Sequence, residues 1–351
     1  MSYKATITDI ARELNTTAAT VSRALSNHPR ISDETKKSVH LAATKLNYKR
    51  NRVASSLRLG KTHLIGVIIP SAEINFFGSV VHGIESIANL YGYNVVLYQS
   101  NESREYEERG IETFLSARVD GILVSLAKGT VDYSHFEQIK KRGVPIVLFD
   151  RTHDELGIGS VVIDDYKGAY MATEHLISKG YKRVAHIAGP RHLRNFDDRI
   201  NGYKQALKDN NINFDSSLVY YGNVSIESGK EGAQYFLSLP DPPDAIFATE
   251  DFTALGVIKE LKERNIRIPE DFGVIGFANE QFGEHITPTL STVDQQTIQM
   301  GKSALNLLLD IINNNNRGNT EIQEQKIVLE PLLICRDSSD KPGDKGQVLR
   351  Q

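Results

Sequence analysis

Two sets of residues in this chain have the types and spacing to do chemistry. Near the N-terminus, Thr17, Ala18, Ala19, Thr20 and Arg23 lie within two turns of a short helical pattern and point outward near its start. An arginine fork pairs bidentately with guanine O6 and N7, and alanine methyls can meet thymine methyls, so this set could read base edges. The second set follows apolar runs that look like strands. Phe76-Phe77 come after the run 64–70, Asp150-Arg151 after 145–149, Asp164-Asp165 stand at the end of 161–164 and Thr249-Glu250-Asp251 come after 245–248, while Gln295 precedes a long apolar helix pattern. Open α/β sheets bind ligands beyond the strand C-termini, so these residues could hold a small molecule. Asp251 is expected to cap the helix it opens, leaving Glu250 to a ligand. Neighbouring side chains on a strand point to opposite faces, so Asp164-Asp165 read as a helix cap plus a cleft contact, not as a shared acid/base dyad.

Charge separates the two sets. The 351 residues carry a net charge of −3, yet residues 1–62 hold twelve Lys or Arg against four Asp or Glu, a net of +8. The remainder holds 29 against 40, a net of −11. A small basic head on a large acidic body is a polyanion-binding footprint confined to one end. With 40% hydrophobic and 24% charged residues, the composition is that of an ordinary globular protein. No apolar run approaches the ~20 residues of a membrane span, so no membrane partner is expected. Residues 1–14 lack the apolar core of a signal peptide, and the single Cys335 cannot form an internal disulfide. A reducing cytoplasm is the expected compartment. The ten histidines show no zinc spacing with that thiol, and neither metal nor cofactor is expected.

The head reads as three short helices. Thr6 with Asp9 makes an N-cap and acidic partner for a helix whose inward positions are Ile7, Ile10, Ala11 and Leu14. Val21, Ala24 and Leu25 mark the second helix; Ser32 caps a third, carrying Val39, Ala42, Ala43 and Leu46. Asn15 suits the left-handed turn that a helix-turn-helix needs between its first two helices. Beyond residue 62, β-rich runs alternate with helical patterns. Strands are predicted over 64–70, 94–98, 121–125, 145–149 and 161–164, then over 183–188, 218–221, 245–248 and 273–277. Continuously apolar strands suit parallel sheets covered on both faces, and two sets of about five predict two doubly wound lobes around one cleft. The fold class is therefore α/β, with a small all-α head.

The run 6–70, beginning TITDIARELNTTAATVSRAL, together with GFANEQFGEHITPTLSTVDQQTIQMGKSALNLLLDII, resembles LacI/GalR-type bacterial transcription regulators through nearly the whole chain. The resemblance implies a helix-turn-helix over 1–49, a hinge helix over 50–61 and a two-lobed ligand-binding and dimerisation domain over 62–337 like the periplasmic sugar-binding proteins; the polar run 338–351, with Pro342, Gly343 and Gly346, reads as a disordered tail. It implies a regulator, in the first instance a repressor, that binds palindromic double-stranded operator DNA on the bacterial nucleoid as a homodimer or a dimer of dimers. Its effector would be a sugar or sugar derivative. In the hinge, Leu57 takes the place of the family's minor-groove wedge, with Ala54 and Arg58 beside it; Thr6, Asn27 and Tyr48 complete the set expected at DNA. Arg199 matches the family's pocket arginine, Asp150-Arg151 resembles sugar binders, and Phe76-Phe77 would stack on a sugar ring.

Three departures from the family pattern stand out. Arg50 replaces the proline of Tyr-x-Pro-Asn, Glu250 replaces an asparagine, and Ala278 replaces the aspartate of Gly-Tyr/Phe-Asp-Asn. A pocket carboxylate is thus lost at Ala278 and one appears at Glu250. The alternatives are a sugar-binding protein without DNA function and an enzyme on the same scaffold. The basic head opposes the first. No P-loop, Gly-x-Ser-x-Gly elbow or nucleotide-binding glycine turn supports the second.

Overall fold

The computed structural model describes residues 5–48, 61–315 and 324–342. Ala54, Leu57 and Arg58 lie outside them, as does the expected hinge helix apart from its last residue. The chain divides into two compact units with the boundary between Thr62 and His63.

The first unit is three helices, α1 (Ile7–Glu13), α2 (Ala18–Leu25) and α3 (Asp33–Lys45). Each starts where a hydroxyl can accept from an otherwise unpaired N–H. Thr6 and Asp9 form a reciprocal capping box, Thr17 accepts from Thr20 N–H, and Ser32 accepts from Thr35 N–H. The turn between α1 and α2 passes through Asn15 at φ +51°, the left-handed conformation asparagine tolerates. Ile10, Ala11, Val21, Ala24, Val39, Ala42 and Ala43 form the core, with Ile7, Leu14, Leu25, Leu46 and Tyr48 packed on its rim. Small side chains allow close helix approach but bury little area, so this unit has a thin stability margin.

In the second unit the first lobe carries β1 (Leu64–Ile69), α4 (Asn75–Leu90), β2 (Asn94–Gln99), α5 (Arg104–Ala117), β3 (Gly121–Val124), α6 (Ser134–Arg142), β4 (Ile146–Phe149) and β5 (Gly159–Ile163). The chain then builds the second lobe from α7 (Asp165–Ser178), β6 (Val184–Ala188), α8 (Arg194–Asp209), β7 (Val219–Tyr221), α9 (Ile226–Leu237), β8 (Ala245–Ala248), α10 (Asp251–Glu263) and β9 (Gly273–Ile275). It crosses back through β10 (Thr292–Asp294) to α11 (Thr297–Asn315) and β11 (Lys326–Leu329), then returns as β12 (Leu332–Ile334). The first sheet runs β11-β5-β4-β3-β1-β2 and the second β7-β6-β8-β9, both parallel; β10 and β12 pair antiparallel.

Both sheets are covered on two faces. On β1, Ile65, Val67 and Ile69 belong to the core under α4 and α11, while Ile68 belongs to the core under α5 and α6. In the second sheet Ala185 and Ile187 face α9 and α10, whereas Val184 lies among Tyr203, Phe247 and Phe277. One apolar core runs from α4 and α11 through Ile163 and Val293 to Phe277 and Tyr203, so the two lobes share packing at their crossovers.

All nine predicted strands are present, with ends that agree to within two residues; β10, β11 and β12 were not predicted. They are three or four residues long and take their partners from far along the chain, β11 pairing with β5 as Lys326↔Ser160 through Leu329↔Ile163. The expected tail needs correction at its start. Ser338 and Ser339 are fully buried: Ser338 Oγ donates to Val274 O at 2.7 Å, and Ser339 Oγ lies 2.6 Å from Ser291 Oγ. Residues 343–351 lie outside the described set.

Candidate functional site

In the head, Thr17, Ala18, Ala19, Arg23 and Asn27 are exposed on or beside α2, Thr20 is half-buried, and Thr6 is exposed at the start of α1. Thr17 has a structural task as well, since its hydroxyl caps α2 at 3.1 Å from Thr20 N and 2.9 Å from Thr20 Oγ1. Tyr48 is half-buried against the head core.

In the body, a cavity of about 530 Å³, open mouth included, lies between the lobes. Phe76, Phe77, Asp150, Arg151, Arg199, Glu250 and Gln295 all line it. Each follows a strand C-terminus or stands in a crossover, which is why one cleft collects them. Ala278, where the family's pocket carboxylate is missing, lines it too; Ile74, Lys128, Asn195, Phe196, Val224 and Phe252 complete the wall and were not anticipated. Lys128, Asn195 and Phe252 also follow strand ends, so applying the strand-end rule to every strand would have found them.

Asp164 does not join the cavity. It caps α7, accepting from Lys167 N–H at 2.9 Å, and its buried neighbour Asp165 turns inward. Arg199 Nε donates to Asp165 Oδ1 at 2.8 Å, and Arg199 Nη2 lies 2.7 Å from the same oxygen. Arg199 Nη1 donates to Thr249 O at 2.6 Å and Nη2 to Gln295 Oε1 at 3.4 Å, with the guanidinium 3.7 Å from the Phe277 ring centre. The expected ligand fork is therefore largely occupied by protein. It binds the crossover after β5 (Asp165) to the crossover after β10 (Gln295).

Glu250, not Asp251, is the N-cap of α10, accepting from Phe252 N–H at 2.8 Å. Asp251 is fully buried and held from afar: its carboxylate accepts from Thr292 Oγ1 at 2.7 Å and from Glu280 N–H at 2.7 Å. Gly276 is needed there, because a Cβ would stand 2.1 Å from Asp251 Oδ1. Burial, reinforced by the Asp251 charge and opposed by the Phe252 N–H, pushes the Glu250 carboxyl up to about 8. Burial likewise lifts Asp251 to about 6, and Asp165 to about 7 against the pull of Arg199.

On the first lobe, Arg151 Nη1 donates to both oxygens of Glu102, at 3.0 and 2.8 Å, and its guanidinium stands 5.7 Å from the Phe77 ring centre. Asp150 takes φ +59° and accepts from Ser125 Oγ at 3.2 Å; burial raises its pKa. Phe76 and Phe77 are almost fully buried, pack edge to face and line the cavity. Backbone strain gathers at this wall: Val224 has φ +62° and Ala278 φ +152°, costly for side chains with a Cβ and typical of residues held for function.

The lobes also bond to each other around the cavity. Phe76 N–H donates to Glu280 Oε1 at 3.1 Å, Lys128 Nζ to Asn223 O at 3.2 Å and His192 Nε2 to Lys128 O at 2.6 Å, and Arg194 pairs with Asp154. These contacts join the two lobes across the cleft.

Comparison with known proteins agrees with this anatomy. Residues 6–51 match the model of bacterial regulatory proteins of the lacI family, and residues 62–332 that of periplasmic binding proteins and the sugar-binding domain of the LacI family. The chain is 34% identical to the HTH-type transcriptional regulator RegA of Clostridium saccharobutylicum, over 95% of this chain and 98% of that protein. It is 34% identical to catabolite control protein A of Priestia megaterium, over 91% and 96%. The solved complex of the transcriptional regulator CelR with cellobiose superposes with a TM-score of 0.71 at 28% identity, covering 95% of this chain and all of that one. With a capped helix-turn-helix at one end and a two-lobed cleft at the other, the chain belongs to the lacI family of bacterial regulatory proteins and is a DNA-binding transcription regulator that responds to a ligand.

Proposed function

We propose that the chain represses transcription in the bacterial cytoplasm, binding palindromic operator DNA as a homodimer, and that a sugar or sugar derivative held between the lobes sets its operator affinity. The observation that carries this reading is the cavity wall, where aromatic rings stand beside carboxyl, amide and guanidinium groups in one cleft. Apolar ring faces and hydroxyls need that mixture. The complex of CelR with cellobiose, a relative of the same architecture, supports a sugar. In the head, Arg23 reads a guanine while Thr17, Thr20, Ala18 and Ala19 approach neighbouring bases and phosphates.

A ligand acts on DNA only through its different affinity for open and closed lobes. Calorimetry of the full chain against a sugar panel, with operator titrations alongside, tests this. A sugar that binds the cleft should change operator affinity. Tight binding with no such change would remove the sensor role.

A further inference from the structure

We propose that the cleft selects uncharged ligands: its effector is a neutral sugar, and the phosphate ester of that sugar is excluded. This rests on the sugar-binding reading above and adds the ligand's charge, which follows from how the charges of the wall are already used.

Three cations line the cavity, Lys128, Arg151 and Arg199. Arg151 is held by both oxygens of Glu102. Arg199 is held by Asp165 through two nitrogens. Lys128 Nζ lies 3.6 Å from Glu102 Oε1 and donates to Asn223 O. Two more carboxyl groups, Asp150 and Glu250, line the cavity. Each arginine is thus already paired with an acid, and Lys128 lies beside the acid that holds Arg151.

Of the three helix N-termini that front the cavity, the other usual seat for phosphate, two are engaged. The first turn of α4 donates Phe76 N–H to the Glu280 carboxylate, and that of α10 donates Phe252 N–H to Glu250. The third, α8, has no side-chain cap, and the Asp197 carboxylate in its first turn opposes an anion there. A phosphate monoester, with a charge of about −1.5 to −2, would enter a wall whose arginines are already paired. The wall also keeps open acceptors. Asn195 is buried and its Oδ1 has no partner among the described residues, and the Asp150 and Glu250 carboxyls keep acceptor capacity toward the cavity. Sugar hydroxyls supply donors without adding charge, and the ring faces meet Phe76, Phe196 and Phe252.

The test uses the full chain and two sets of probes. Calorimetry and thermal shift are run with D-ribose, D-glucose and D-galactose, with their 5- or 6-phosphates, and with inorganic phosphate. Any sugar that binds should lose at least roughly tenfold in affinity on phosphorylation, a loss of about 1.4 kcal/mol or more. Inorganic phosphate should leave the wild type unmoved but bind Glu102→Gln, where Arg151 is released while an acceptor for Lys128 N–H remains. A phosphate ester binding as tightly as its parent sugar would overturn the proposal, as would inorganic phosphate binding equally to wild type and Glu102→Gln. If no neutral sugar binds while the phosphate results hold, the exclusion of anions stands and the sugar assignment fails.

Discussion

Arg199 lines the cavity and also carries a structural task that its residue type alone does not reveal. Its guanidinium bridges Asp165, Thr249 O and Gln295, so deleting it does more than remove a ligand contact. Arg199→Ala strands the Asp165 carboxylate in a buried site, and we expect a loss of about 3–5 kcal/mol in stability. The double variant Arg199→Met/Asp165→Asn should regain most of that melting temperature without regaining ligand affinity. Denaturant unfolding beside calorimetry separates the two, and full ligand binding in the double variant would take Arg199 out of recognition. Glu250 allows a test by pH. A carboxyl whose folded pKa is raised holds its proton more tightly folded than unfolded, so stability falls as pH climbs from the ordinary value near 4.5 towards about 8. Glu250→Gln keeps the α10 cap without the charge. It should unfold much like wild type at about pH 5 and be more stable by about 1–3 kcal/mol above pH 8. An equal difference at both pH values would contradict the burial-raised pKa.

At the scale of elements, what could be read from the chain were features with local causes. Thr6, Thr17 and Ser32 start the three head helices because their hydroxyls satisfy N–H groups within the same turn, and apolar runs such as Ile65–Ile69 mark strands buried on both faces. What escaped were features made by distant partners. Strand β11 exists through β5, and β10 and β12 exist through each other. Local spacing suggested that one of Asp164 and Asp165 would cap and the other turn inward. Only the position of Arg199 on α8 decides which. Asp251 resembles a capping residue by type, but Thr292 and the Glu280 N–H claim its carboxylate, so the cap falls one residue earlier. Helix α2 provides a prediction of its own. Thr17→Ala removes the cap and should cost the head about 1 kcal/mol of stability while the preference for guanine opposite Arg23 stays. Arg23→Ala leaves the helix intact and should relax the preference for one guanine by roughly 1–3 kcal/mol. Binding-site selection on randomised DNA decides, and an unchanged guanine preference in the Arg23 variant would refute the assigned docking.

Over the whole molecule, charge and function divide in the same place. Residues 1–62 carry +8 and the rest −11, so DNA affinity should reside in the head and fall steeply with salt as phosphate counterions are released. The acidic body contributes control, through a cleft closed by bonds such as Phe76 N–H to Glu280 and through a core continuous across the crossovers. The most direct check is an operator titration of the full chain, at fixed salt, with and without a saturating sugar shown by calorimetry to occupy the cleft. We predict a change in operator affinity of about 5–150-fold, corresponding to a coupling of about 1–3 kcal/mol. Identical operator affinity with the cleft filled and empty would contradict it.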